Sequence, residues 1–235
     1  VNSPASTDYA GWKRWSASEF ATFSPVEASY FKAEMAHAGM DPGRHLDILE
    51  IGFGNGSFLG WARSRGHRLT GIETLPPAIQ RARLAGVDCH ASLDEVPPDR
   101  KFDAVVAFDV FEHVSTDKLE RLLHELGSHL KDDGRIIARF PNGGSPFGLF
   151  YQHGDLTHVT SLSEGAVSHL AASAGLKLSY CGAPRLPIHG VGWTRAMRRV
   201  LQLSARAFIE AIFRQVYFDG RPACLSPNLL AVFHR

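Results

Sequence analysis

The sequence predicts an α/β domain: a largely parallel sheet with helices on both faces. Three observations carry this. Short, nearly continuous apolar runs alternate with helix-like stretches between residues 47 and 140. A strand covered on both faces has no solvent side, so it loses the in-and-out alternation of an antiparallel strand and reads as such a run. The first run ends in a turn with glycine at every second position, and that spacing forbids ordinary strand packing. Finally, the helix-like stretches carry cap and stop residues.

The strand-like runs are "DILEIG" (47–52), "RLTGIE" (68–73), "VDCHAS" (87–92), "FDAVVAFDV" (102–110) and "RIIARF" (135–140). Helix-like stretches lie near 57–65, 76–85 and 115–130. The third takes Ser115 as its N-cap and ends near Gly134. A further helix follows in "SLSEGAVSHLAASAG", where Ser161 and Glu164 have capping-box spacing and Gly175 is a natural stop. Then come "LKLSYC" and "LLAVF" (229–233), joined through residues 184–228. That connection is too long for a tight hairpin and has room for an added helix. The chain reads as one domain, 1–235. It comprises an N-terminal helical lid (1–44), a core (45–183), an amphipathic helical insertion (184–228) and a last strand (229–235).

Bulk properties narrow the class. The chain has 235 residues, enough for one substantial core, with 44% hydrophobic and 21% charged residues. A formal charge of +1 gives no general drive toward nucleic acid. The three cysteines, Cys89, Cys181 and Cys224, are far apart and lack CxxC spacing, against both a disulfide framework and a zinc site. No basic segment followed by an apolar one opens the chain, and no run of about 18 apolar residues occurs, so a cytoplasmic protein is expected.

The glycine turn is the expected ligand site, because parallel sheets bind ligands beyond the carboxyl ends of their strands where the strand order reverses. Gly52, Gly54 and Gly56 lack a Cβ and let a ligand approach the backbone closely. The next strand ends at Glu73, whose carboxylate can accept both hydroxyl hydrogens of a ribose. A dinucleotide turn, G-x-G-x-x-G, would need glycine where this chain has Ser57. The pattern here is instead E-x-G-x-G-x-G from Glu50 to Gly56, and no GK[ST] follows.

At these motifs the chain resembles the class I S-adenosylmethionine (SAM) dependent methyltransferases. The resemblance spans about residues 45–182 and the last strand. "ILEIGFGNGSFL" matches the first motif, Glu73 the acidic end of the second strand, and "FDAVVAFDVFEHV" the fourth-strand motif. "LKDDGRIIARFPN" matches the helix, turn and fifth strand, and "THVTSLSEGAVSHLAASAGLKL" the histidine loop, helix and sixth strand. The resemblance implies a Rossmann-like seven-stranded sheet of order 3-2-1-4-5-7-6, last strand antiparallel. It also implies SAM as cofactor, S-adenosylhomocysteine as product, and cofactor contacts from Glu50, Gly52, Gly54, Gly56, Glu73 and Asp109. Many members carry an aspartate after the third strand for the adenine amino group. This chain reads "HASLDE", which leaves Ser92 or backbone groups for that contact, with Asp94 two residues on. Glu50 has two readings, support of the turn and methionine end of SAM, or simple structural pairing.

Methyl transfer from a sulfonium is an in-line displacement, and orientation alone can contribute about 7–11 kcal/mol. A hydroxyl acceptor also needs its proton removed. His113, after the fourth strand, and His158 are the candidate bases. Tyr151, His153 and Asp155 are candidate substrate contacts, with ordinary loop hydrogen bonding as the competing role. "HGD" with His158 resembles a two-His, one-carboxylate iron triad, but three ligands within six residues of one loop is unusual, and no metal is expected. The N-terminal aromatics Tyr9, Trp12, Trp15, Phe20, Phe23, Tyr30 and Phe31 suit a lid over the cofactor or helices on the sheet flank.

"WTRAMRRVLQLSARAFIEAIFRQVY" (193–217) sets Met197, Leu201, Ser204, Phe208, Ala211 and Ile212 along one stripe. Arg195, Arg199, Gln202, Arg206 and Glu210 lie opposite. Such a helix packs on the domain or a second subunit, or lies on an anionic membrane surface at the inner membrane face. The leading expectation is O-methylation of a saccharide or other small molecule, on a resemblance to methyltransferases of bacterial cell-surface polysaccharides. A quinone or lipid-soluble precursor is the second acceptor class. An NAD-dependent oxidoreductase, disfavoured by Ser57, and a non-catalytic SAM-binding protein are the rivals.

Overall fold

The structure, a computed structural model, describes residues 19–41, 43–188, 192–220 and 223–235; Tyr9, Trp12 and Trp15 lie outside them. Seven strands form one sheet of order β3-β2-β1-β4-β5-β7-β6. In chain order the elements are α1 (Pro25–His37), β1 (Asp47–Ile51), α2 (Ser57–Ser64), β2 (Arg68–Ile72), α3 (Pro76–Leu84) and β3 (Asp88–His90). Then come β4 (Phe102–Phe108), α4 (Thr116–Ser128), β5 (Leu130–Pro141), α5 (Leu149–His153), α6 (Glu164–Ser173), β6 (Lys177–Gly182), α7 (Trp193–Tyr217) and β7 (Asn228–His234). Strands β1 to β5 pair in parallel, and β7 runs antiparallel to both β5 and β6.

Alternate residues of the central strands feed two cores. Leu49, Val105 and Ala107 face Leu119, Leu123 and Leu126 of α4 and Val167 and Leu170 of α6. Ile48, Ala104 and Val106 face Phe31 and Met35 of α1 and Phe58 and Trp61 of α2. Helix α1 therefore packs on the sheet flank. A Ser24–Glu27 capping box starts it, with Ser24 N donating to Glu27 Oε2 at 2.7 Å and Glu27 N to Ser24 Oγ at 3.2 Å. The short segment before α1 reaches the glycine turn: Ala21 N donates to Asn55 O at 2.9 Å, and Asn55 Nδ2 to Glu19 O at 3.1 Å.

Three expectations shift. Helix α4 ends at Ser128, and Gly134 lies inside β5 at a register shift against β4. A Cβ there would meet Lys131 O at 2.9 Å and Phe102 O at 3.0 Å, so close backbone approach explains this glycine, not a helix stop. Helix α6 is capped by Ser163, whose hydroxyl accepts from Ala166 N at 3.3 Å, which puts Glu164 in the first turn and leaves Ser161 outside. Gly175 ends α6 in the left-handed region, φ +70°, as expected. The three cysteines are free thiols.

Helix α7 forms over the expected residues, but it is turned the other way. Arg199, placed on the outer polar stripe, is its one buried residue, and its guanidinium donates to Pro187 O. Met197, Leu201, Phe208 and Ile212 are exposed, Phe208 to 67%. No helix among the described residues is long and apolar enough to cross a membrane.

Candidate active site at the carboxyl edge of the sheet

The strand order reverses between β1 and β4, so the segments following these two strands lie side by side. After β1, Gly52, Gly54 and Gly56 all adopt positive φ, at +66°, +52° and +74°. A Cβ on Gly52 would stand 2.7 Å from Val110 Cγ2, so the turn and the β4 segment are already in contact. The turn thus needs glycine for its own conformation.

Glu73 is 7% exposed and braces this turn. Its Oε2 accepts from Gly54 N at 2.9 Å, and its Oε1 accepts from Thr74 N at 2.7 Å and Leu75 N at 3.1 Å. A carboxylate offers about four acceptor sites, so capacity for a ribose hydroxyl remains on Oε2. Glu50 is buried beside it, paired with Gly71 of β2 and Val106 of β4 through their strands. Burial first, then the neighbouring Glu73 charge, holds the Glu50 carboxyl well above the usual carboxylate range. Its Oε2 has no hydrogen-bond partner among the described residues. A buried, orphaned carboxylate oxygen next to a glycine turn suits a cationic group, and the ammonium of SAM's methionine end supplies one.

Ser92 opens a 3-10 turn after β3, its side chain uninvolved in capping. Because β3 pairs with β2, it flanks the strand that ends at Glu73. Asp109, expected at the cofactor, is paired with Arg139. Arg139 Nε donates to Asp109 Oδ1 at 2.9 Å, and Nη2 to Oδ2. The guanidinium also sits 5.2 Å from the ring centres of Tyr30 and Phe108, which makes Asp109 an anchor of the strand end.

The histidines converge. The 3-10 turn Phe111–His113 after β4 and the loop before α6 are bonded together: Glu112 O accepts from Val159 N at 2.8 Å and Thr160 N at 3.0 Å, and Thr160 Oγ1 donates to Val114 O at 2.6 Å. This brings the His113 and His158 rings to 4.7 Å in an edge-to-face arrangement. Their tautomers follow from their partners. His158 Nδ1 lies 3.0 Å from Gln152 O, which can only accept, so Nδ1 carries the hydrogen. Thr157 gives its one hydroxyl hydrogen to Asp155 Oδ1 at 2.6 Å, so His113 Nδ1, 3.0 Å from that hydroxyl oxygen, must donate to it. Both imidazoles therefore keep a lone pair on Nε2.

Asp155 is buried and orients Thr157. Its Oδ2 lies 3.8 Å from His158 Nε2, and Glu112 Oε1 lies 3.9 Å from the same nitrogen. Tyr151 and His153 sit on α5, both exposed, with Tyr151 packed edge-on against Phe150 at 5.4 Å. They line the rim and not the cluster. Glu112, Thr157 and Arg139 escaped the sequence reading. Glu112 directly precedes His113 at a strand end, a signal that was available; the others depend on tertiary contacts.

A family model described as "Methyltransferase domain" matches residues 20–180. A curated relative, "Ubiquinone biosynthesis O-methyltransferase" of Rickettsia felis, is 27% identical over 99 residues, 39% of this chain and 40% of the relative. The namesake of Rickettsia conorii is also 27% identical, over 39% of this chain and 34% of its own length. The chain thus spans about 40% or less of the length of these relatives. Among solved structures, a SAM-dependent methyltransferase from Archaeoglobus fulgidus superposes with TM-score 0.61 at 19% identity, covering 88% of this chain and 94% of that one. The 1,6-didemethyltoxoflavin-N1-methyltransferase of Burkholderia thailandensis, solved with S-adenosylhomocysteine, gives 0.56 at 16% identity, covering 100% and 93%. The glycine turn, its two glutamates and the matched domain together make this chain a member of the class I SAM-dependent methyltransferase family.

Proposed function

We propose that this methyltransferase acts on a hydroxyl oxygen of a lipid-soluble, phenol-like acceptor, at a membrane surface. The observation that carries this is the apolar rim over the histidine pair. Phe150 is 80% and Leu156 99% exposed, with Phe147, Leu149 and Val159 also in solvent. The Phe147 ring packs 6.0 Å from Phe213 of α7, so this rim continues onto the exposed apolar stripe of the helix. A continuous apolar surface of this kind suits a membrane or a hydrophobic ligand better than a sugar. The exposed arginines Arg198 and Arg206 on α7 complement anionic lipid. The quinone-related names of the curated relatives support the same acceptor class.

Bound SAM supplies an electrophilic methyl group on a sulfonium, and the S–C electron pair leaves with sulfur. In this reading Glu73 and the glycine turn hold the ribose, and Glu50 faces the ammonium. His113 or His158 accepts the hydroxyl proton at Nε2 as the oxygen forms its bond to the methyl carbon. Asp155, through Thr157, keeps the His113 ring in the tautomer this requires.

The test is S-adenosylhomocysteine formation from SAM with lipophilic phenols in anionic vesicles, against free saccharides. Transfer to the phenols, with vesicle flotation lost in a Leu201→Glu/Phe208→Glu variant, is expected. Transfer to the saccharides alone, or no flotation of the intact chain, overturns the reading.

A further inference from the structure

We propose that Glu112, His113 and His158 form a binding site for a divalent transition-metal ion beside the methyl donor. The sequence expectation of no metal weighed His153, Asp155 and His158 in one loop. The fold assembles a different set from two segments. One ligand atom from each of Glu112, His113 and His158 lies within 4.8 Å of the other two. Ligands about 2.0–2.2 Å from one ion stand roughly 3–3.5 Å apart, so modest closing of the side chains completes the set.

The surroundings are those of a metal site. Each imidazole is fixed by a donated Nδ1–H, His158 to Gln152 O and His113 to Thr157, which puts each ring's lone pair on Nε2. Holding the far ring nitrogen by a carbonyl or by a carboxylate-linked hydroxyl is how proteins orient metal-bound histidine. Asp155 completes this outer layer through Thr157. The Glu112 carboxylate is buried and adds an oxygen ligand and negative charge to the cluster. Two imidazoles and a carboxylate favour a borderline first-row ion over magnesium or calcium, and leave coordination positions open for an acceptor oxygen. A coordinated hydroxyl loses its proton far more easily, releasing it to water. The oxygen then attacks the methyl carbon as the S–C electron pair leaves with sulfur.

This deepens the hydroxyl-acceptor reading, with the metal replacing the imidazole base because it would occupy both Nε2 lone pairs. It rests on that reading only for the use of the metal, not for its binding. The chelator-stripped chain is titrated with Co2+, followed by its visible absorption, and with Zn2+ by calorimetry. One ion per chain is expected, with binding lost in Glu112→Gln and in His158→Ala. S-adenosylhomocysteine affinity in both variants reports that the fold is intact. Absence of saturable Co2+ or Zn2+ binding overturns the proposal, as does binding that survives in a His113→Ala/His158→Ala variant still able to bind S-adenosylhomocysteine. Metal binding without methyl transfer to any phenol upholds the site and defeats the acceptor class. Transfer by the metal-free chain, undiminished by chelator, overturns the metal role and leaves the imidazole as base.

Discussion

Glu73→Ala removes an acceptor that braces the fold and that, in the proposed reading, also holds the ribose of the cofactor. In the ligand-free chain three backbone N–H groups lose their partner: Gly54 at 2.9 Å, Thr74 at 2.7 Å and Leu75 at 3.1 Å. Hydrogen bonds to a charged group contribute about 1.5–3 kcal/mol each. Thr74 is exposed and Leu75 half-buried, so water replaces most of what they lose, while the Gly54 donor sits in a buried turn. Relief of the Glu50 carboxyl from its charged neighbour offsets part of the cost. The net loss is about 2–3 kcal/mol, a fall in Tm of roughly 5–10 °C for a chain of this size. Loss of the ribose hydroxyl bonds should weaken S-adenosylhomocysteine binding by about 100-fold, some 3 kcal/mol. Differential scanning calorimetry and titration calorimetry separate the two effects. An unchanged Tm refutes the bracing role, and an unchanged Kd shows that the ribose lies elsewhere. Glu73→Gln, which keeps one acceptor oxygen but turns an amide N–H2 toward the other donor, should fall between wild type and alanine in both readouts.

Two further perturbations test the frame around the site. Glu34 on α1 is buried, and desolvation raises its carboxyl to about 7, against the lowering effect of Arg185 N, which donates to Oε1 at 2.5 Å. Because the folded pKa is raised, the folded chain keeps a proton that the unfolded chain loses above its ordinary carboxyl value of 4.5. Stability should therefore fall as pH rises from about 4.5 to 7, by about 3 kcal/mol in all, and Glu34→Gln should flatten that slope in urea melts. An equal slope in the variant assigns the dependence to another group. At Gly60, an added Cβ would stand 1.9 Å from Ala21 O and 2.7 Å from Ala21 C, both backbone atoms. Gly60→Ala should push the 19–22 segment off the glycine turn, cost about 1–3 kcal/mol, and speed amide exchange at Ala21; unaltered exchange there contradicts the packing.

The sequence by itself determined the sheet and the donor. Strands covered on both faces are largely apolar, as "DILEIG" and "FDAVVAF" show, and three positive-φ positions within five residues favour glycine, as "GFGNG" shows. Both features are local and need no tertiary information. Glu73 was legible for the same reason: strand length fixes which residue stands at the carboxyl edge. Helix α7 was legible as a helix because its periodicity is local, but the side it turns to the domain was not. Which stripe is covered depends on what lies beneath, and Arg199 won that place by reaching Pro187 O. Only the tertiary structure decided that Asp109 pairs with Arg139 and that Glu112, His113 and His158 lie together. Those partners stand 30 and 45 residues apart, and a short backbone ladder from Glu112 O to Val159 and Thr160, which no sequence pattern encodes, is what brings the histidines together.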